Sequence, residues 1–198
     1  MGITALIADF ATAFIGAIGY PGVFLLMVLE SMVFPVPSEA VMPFAGFLVA
    51  QGTFSFWIVV VVSTAASLVG SLLSYALGRF GGIPLIARYG RYLLLEVGDL
   101  ERTIDFFRRR GDVTIFLGRL IPVVRHLISI PAGIGRMSLT RFMFYTVLGA
   151  AMWNAFLTWI GMLLRDHWAI VMSYSHVIDL LVVGALVAGV VWFVMKHR

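Results

Sequence analysis

Residues Gly118 to Gly135 read GRLIPVVRHLISIPAGIG. Arg119 and Arg125 stand six residues apart in a run that is otherwise apolar and is broken by Pro122, Pro131 and glycines. The chain around them is 61% hydrophobic and 12% charged, with a mean hydropathy of +1.02. That composition belongs to an integral membrane protein. A charged side chain at mid-bilayer costs about 2.5–3.5 kcal/mol or more, so both arginines need compensation. Leu29 to Gly46, LESMVFPVPSEAVMPFAG, is the complement: Glu30 and Glu39 stand around Pro35, Pro37 and Pro43. Two broken, charged hairpins of opposite sign are expected, with the rest of the chain holding them together.

At 198 residues the size is that of a single membrane domain, residues 1–198. The net charge of +4 follows from cations gathered in one loop and at the C-terminus, the asymmetry of the positive-inside rule, and calls for no nucleic acid. There is no cysteine, which excludes disulfides and thiolate metal sites, and no cofactor or metal is expected. The N-terminus lacks a basic region and a small-residue cleavage site, so no removable signal peptide is read there.

The expected class is an all-α polytopic membrane protein. Residues 3–18 form an apolar helix that lies in the interface or spans, and Gly19 to Gly22 turn. Residues 22–51 form a first re-entrant hairpin: Val23 to Phe34 is too short for a core of ~30 Å, Pro35 and Pro37 break it, and Ser38 caps a second half-helix with Glu39 in its first turn. Residues 54–78 span, with small residues on one face for close packing. The loop 79–112 holds seven arginines and is placed in the cytoplasm. Within it, Leu100, Ile104 and Phe107 give residues 99–110 one apolar face, that of a helix lying along the membrane surface. Residues 113–135 form a second re-entrant hairpin, residues 142–164 and 177–195 span, and Lys196 to Arg198 anchor the C-terminus in the cytoplasm. MPFAG (Met42–Gly46) and IPAG (Ile130–Gly133) each close a broken segment ahead of a spanning helix, the pattern of an inverted repeat with its site near the midplane. About three to four spanning helices result.

FPVPSEAVMPFAG (Phe34–Gly46), YALGRFGG (Tyr75–Gly82) and GRLIPVVRHLISIPAGIGRM (Gly118–Met137), followed by Trp153-Asn154, resemble the DedA family, also called the SNARE-associated or VTT-domain family. The resemblance covers roughly residues 15–165. It implies two re-entrant hairpins meeting inside a bacterial inner membrane, and lipid transport: bacterial members move undecaprenyl phosphate or phosphatidylethanolamine, eukaryotic relatives scramble phospholipids, and bacterial members are linked to the proton motive force. By position, Glu30 and Glu39 match the family's embedded acidic pair, and Arg119 and Arg125 its essential arginines. Pro37-Ser38-Glu39 stands where many members have Pro-Gly-Asp or Pro-Gly-Glu, which suggests the polyprenyl-phosphate branch.

Read by chemistry, Arg119 and Arg125 offer planar forks of donors that match phosphate oxygens; equally, they suit static pairing with Glu30 and Glu39. The two carboxyls are candidates for proton coupling, since a low-dielectric cavity favours the neutral form and a neighbouring arginine the charged one; for Glu39, stabilising a helix N-terminus is the plainer role. His126 beside Arg125 is a candidate for titration or simple hydrogen bonding, and Asn154 for headgroup contact or interhelical bonding. An enzyme is not expected: neither a nucleophile–base pair nor a DxxD-type acidic motif is present. The expected partners are membrane lipids, a phosphate-bearing lipid and protons, with homo-oligomerisation left open. The expected function is a flippase for such a lipid, with a phospholipid scramblase, a proton-coupled small-cation or drug carrier and an assembly factor as alternatives.

Overall fold

A computed structural model describes residues 3–32, 38–93 and 99–164. Pro35, Pro37, the outer turn at 165–167, the span expected at 177–195 and the C-terminal anchor lie outside the described residues. The regular elements among the described residues are all helices: α1 Ile3–Ile18, α2 Tyr20–Ser31, α3 Ser38–Ala50, α4 Phe56–Leu93, α5 Asp99–Arg119, α6 Pro122–Leu127, α7 Ser129–Ile134 and α8 Leu139–Leu163. Phe56–Gly81 and Leu139–Leu163 are long and apolar enough to cross a membrane, with mean hydropathy 2.2 and 1.4.

The helix boundaries follow local chemistry. Gly19, at φ 74°, alone separates α1 from α2, and Pro21 sits in the first turn of α2, where its missing N–H is not needed. Gly52, at φ 80°, ends α3: its N–H donates to the Val49 carbonyl at 2.9 Å and that of Thr53 to Leu48 at 3.0 Å, which satisfies carbonyls the helix leaves free. Pro122 cannot continue α5, and its fixed φ opens α6 after the extended residue Ile121. The backbone stays helical past Arg79 to Leu93, where a loop is expected from residue 79; Pro84 removes one amide donor from that helix without ending it. Likewise α5 runs unbroken from Asp99 to Arg119, and Phe107 is buried in the protein beside Gly135 and Met137.

Packing relates the two halves of the chain. α2 lies along α4, and α5 along α8, each against the long helix of its own half. The closing helices cross over: α3 packs on α8, and α7 on α4, while α4 and α8 pack on each other. The crossings use glycine in the same way. A methyl on Gly46 would strike the Thr158 carbonyl oxygen, and one on Gly161 that of Pro43. Correspondingly, a methyl on Gly133 would strike the Tyr75 carbonyl oxygen, and one on Gly78 that of Ile130. MPFAG and IPAG are therefore the backbone-to-backbone contacts that tie the halves together, of the small-residue kind that membrane helices use. Two apolar cores result, one around Met27, Met42 and Leu157, the other around Tyr75, Ile115 and Phe142.

Candidate functional site

Arg119 is the last residue of α5, and the break at Pro122 folds α6 back beside it. Its guanidinium is buried (4% exposed). Nη1 donates to the Arg125 carbonyl oxygen at 3.1 Å. Nη2 donates to Ser129 Oγ at 2.7 Å and reaches Thr146 Oγ1 at 3.5 Å. Nε has no partner. Gly149 leaves room for this side chain, since a methyl there would lie 2.7 Å from Arg119 Cβ. Among the described residues, the acceptors of Arg119 are thus all neutral oxygens.

Arg125 is the arginine with an anion. Its Nη2 forms a buried ion pair with Glu30 Oε1, and its guanidinium carbon lies 5.5 Å from the centre of the Trp153 ring, within cation–π range. Glu30 is 1% exposed. Ser31 Oγ donates to its second oxygen at 3.2 Å, and His126 Nδ1 lies 3.3 Å from its carbonyl oxygen and 3.6 Å from Oε1. Ser74 of α4 donates to the Ser31 carbonyl at 3.1 Å and fixes the end of α2. Glu30, Arg125 and His126 therefore form one cluster, with Arg119 joined to it through the Arg125 carbonyl.

The other expected members are placed differently. Glu39 is exposed in the first turn of α3 and has no ion pair among the described residues, so the two acids do not share one setting. Ser38 does not cap α3: its side chain is fully buried and its Oγ has no partner, because it points into the protein rather than back to the helix amides. Pro122 opens α6, and Pro131 lies inside α7. Asn154 is fully buried with neither amide atom bonded, and Trp153 Nε1 is likewise unbonded. Each such group forfeits about 1–3 kcal/mol of hydrogen bonding. Ser129 and Thr146 were not singled out by sequence reasoning, and only their polar character within apolar helices marks them; Trp153 was named as part of the Trp153-Asn154 motif, without a contact to Arg125.

The electrostatics are lopsided. Among the described residues the buried charges are Arg119, Arg125 and Glu30, two cations against one anion. Arg119 Nε and, beside Arg125, Trp153 Nε1 are donors without acceptors and add to that bias. Such a centre can accept a negatively charged, oxygen-rich group with little rearrangement.

Fold and site together define an all-helical membrane protein with a buried, positively biased polar centre. Residues 36–163 match the VTT domain, and the chain belongs to that family, the DedA family. It is 32% identical over 190 residues to undecaprenyl phosphate transporter A of Staphylococcus aureus, covering 94% of each chain. It is 33% identical over 188 residues to the alkaline phosphatase-like protein of Lactococcus lactis subsp. cremoris, covering 90% of this chain and 88% of that one. Protein DedA of Escherichia coli is 28% identical over 187 residues, 90% of this chain and 83% of its own. No solved structure matches the chain significantly.

Proposed function

We propose that this protein carries a phosphate-bearing lipid between membrane leaflets, with undecaprenyl phosphate as the first substrate to test. The observation that carries the reading is the excess, among the described residues, of buried guanidinium over carboxylate, Arg119 and Arg125 against Glu30. A phosphate headgroup supplies the missing negative charge and several acceptor oxygens. Arg119, held by neutral acceptors alone, makes the first contact. Arg125 then exchanges Glu30 for the phosphate, and the released carboxylate, beside His126, takes up a proton. The tails stay in lipid, because extracting them would cost about 0.8 kcal/mol per CH₂. The name of the Staphylococcus relative supports this substrate class.

In the membrane, we read residues 1–198 as one domain in the bacterial inner membrane. Residues 22–51 and 113–135 are opposed re-entrant hairpins, and residues 54–78, 142–164 and 177–195 span. The charged segment 79–112 and the C-terminus face the cytoplasm. Support comes from the short closing helices: α3 has 13 residues, about 20 Å of helix against a core of ~30 Å. Their crossed packing fits an inverted repeat.

The test is leaflet exchange in proteoliposomes, comparing a polyprenyl phosphate with a labelled phosphatidylethanolamine, for the native protein and for Arg125→Ala. Exchange of the polyprenyl phosphate, lost in Arg125→Ala, is expected. Equal exchange of both lipids would make the protein a scramblase, and no exchange by folded protein would end the proposal. We read the chain as a carrier and not an enzyme. Steady release of inorganic phosphate from the polyprenyl phosphate would overturn that part, and the phosphatase-like name of the Lactococcus relative makes it the necessary control.

A further inference from the structure

At the end of α7 the chain makes a turn that costs energy. Arg136 is the one non-glycine among the described residues with positive φ, at 50°. Its N–H donates to the Gly133 carbonyl at 3.0 Å, and that of Met137 to Ala132 at 3.1 Å. These are the bonds that Gly52 and Thr53 make at the end of α3. The position is one that glycine fills without strain, yet it holds an arginine whose side chain is exposed.

Two cavities meet at this turn and share Arg136, Met137 and Ser138 as walls. One, of about 360 Å³, is bordered by Arg141 of α8 and Asp112 of α5, which lie 3.7 Å apart. The other, of about 580 Å³, is bordered by Arg79 and Phe80 of α4. Arg79 Nη1 donates to the Tyr75 hydroxyl at 2.9 Å, and that hydroxyl donates to the Met137 carbonyl at 2.5 Å. Tyr75 thereby fixes the second arginine against the turn that carries the first. Asp112 is engaged with Arg141, and no carboxylate among the described residues pairs with Arg79 or Arg136. The larger cavity opens beside apolar surface: Phe80 is 82% exposed, and Leu139 also faces outward.

We propose that the Arg136 turn is a second phosphate site, separate from the Arg119–Arg125 centre, that holds the headgroup of an anionic lipid. Arg79 and Arg136 supply charge-assisted donors to the phosphate. The cavity is many times the roughly 30 Å³ share of one water, so a hydrated phosphate has room. Phe80 and Leu139 give the acyl chains an apolar border, which a free phosphate would not use. Membrane surface potential alone attracts any exposed arginine, whereas this site requires these two. The proposal stands on its own geometry and holds whether or not the buried centre transports lipid.

The experiment is equilibrium binding to the purified full chain in a neutral detergent, with three probes: phosphatidylglycerol, phosphatidylcholine and inorganic phosphate. The variants are Arg136→Gly, Arg79→Gln and, as an exposed arginine outside both cavities, Arg110→Gln. Phosphatidylglycerol is expected to bind the native protein most tightly. Its affinity should fall about ten-fold in Arg136→Gly and in Arg79→Gln, the scale of one charge-assisted hydrogen bond, and hardly at all in Arg110→Gln. Arg136→Gly relieves the backbone, so its melting temperature should hold or rise, which separates lost binding from lost folding. Equal losses in all three variants would reduce the effect to diffuse charge and overturn the proposal. So would equal affinity for phosphatidylcholine. Inorganic phosphate binding as tightly as phosphatidylglycerol, with the same arginine dependence, would overturn the lipid assignment.

Discussion

The Arg125–Glu30 pair can be tested by a double-mutant cycle that separates a clamp from a carrier. Glu30→Gln leaves the Arg125 guanidinium buried with Trp153 and an amide oxygen in place of its anion. Breaking a buried pair by removing one partner costs about 3–5 kcal/mol, and the retained acceptor argues for the lower end. Arg125→Gln leaves Glu30 with Ser31 and His126 as its remaining donors and removes the contact with Trp153, so about 4 kcal/mol is expected. In the double variant neither buried charge is stranded. Its loss should be about 1 kcal/mol rather than the sum of about 7, a coupling near 6 kcal/mol. Stability is read by unfolding in mixed micelles titrated with sodium dodecyl sulfate, and transport by the leaflet exchange described above. A static clamp predicts that the double variant recovers both stability and exchange. A carrier in which phosphate replaces Glu30 predicts recovered stability with exchange still absent. Coupling below about 0.5 kcal/mol, the level seen between independent sites, would refute the pairing itself; exchange restored in the double variant would refute the role given to Arg125.

Three further outcomes follow from the same geometry. Gly133→Ala and Gly161→Ala drive a methyl into the carbonyl oxygens of Tyr75 and Pro43, so each should cost about 1–3 kcal/mol or more. Gly16→Ala, with nothing within 4 Å, should change stability by about 1 kcal/mol at most, in the stabilising direction; equal effects at the three sites in the same titration would sink the crossing argument. Asn154→Leu removes a buried amide with no partner and should stabilise the fold by about 1–3 kcal/mol while slowing exchange; unchanged exchange would take Asn154 out of the lipid path. Arg119→Gln discharges a buried cation that has only neutral acceptors. Unfolding should show stability held or raised with exchange lost, and a variant that exchanges normally would leave Arg119 without the contact proposed for it.

The sequence carried much of this, for physical reasons. Charges inside an apolar run announce themselves through their cost, so Arg119, Arg125 and Glu30 could be picked out and matched by sign. Glycines and prolines marked the breaks, and MPFAG and IPAG marked corresponding places in the two halves, but not that each crosses onto the other half's long helix. Glu39 shows where such reading runs out. It stands beside prolines in an apolar run just as Glu30 does, and only the direction of the α3 helix face turns it outward. Ser129 and Thr146 were hidden because hydroxyls in membrane helices commonly bond their own backbone, as Thr158 does to Asn154. Arg136 was hidden because its importance lies in φ, which a sequence does not display for a residue other than glycine.

On the proposed reading, the same imbalance suits the buried centre to a carrier better than to a clamp. With one carboxylate for each arginine, both cations would be satisfied, and an arriving phosphate would have to displace two anions. With Glu30 the one buried carboxylate among the described residues, Arg119 has no anion to lose and Arg125 is held by a partner that can be exchanged. A ligand shifts a conformational equilibrium only by its differential affinity for the two states. A phosphate that binds Arg119 in both states but reaches Arg125 only when Glu30 lets go has such a difference built in, and its size is that of one ion pair. Glu30 sits at the end of α2, fastened to α4 through Ser31 and Ser74, whereas Arg125 sits on the short α6 between two breaks. On the proposed reading, exchange at that pair changes how the two halves are joined, and so couples headgroup binding to their relative position.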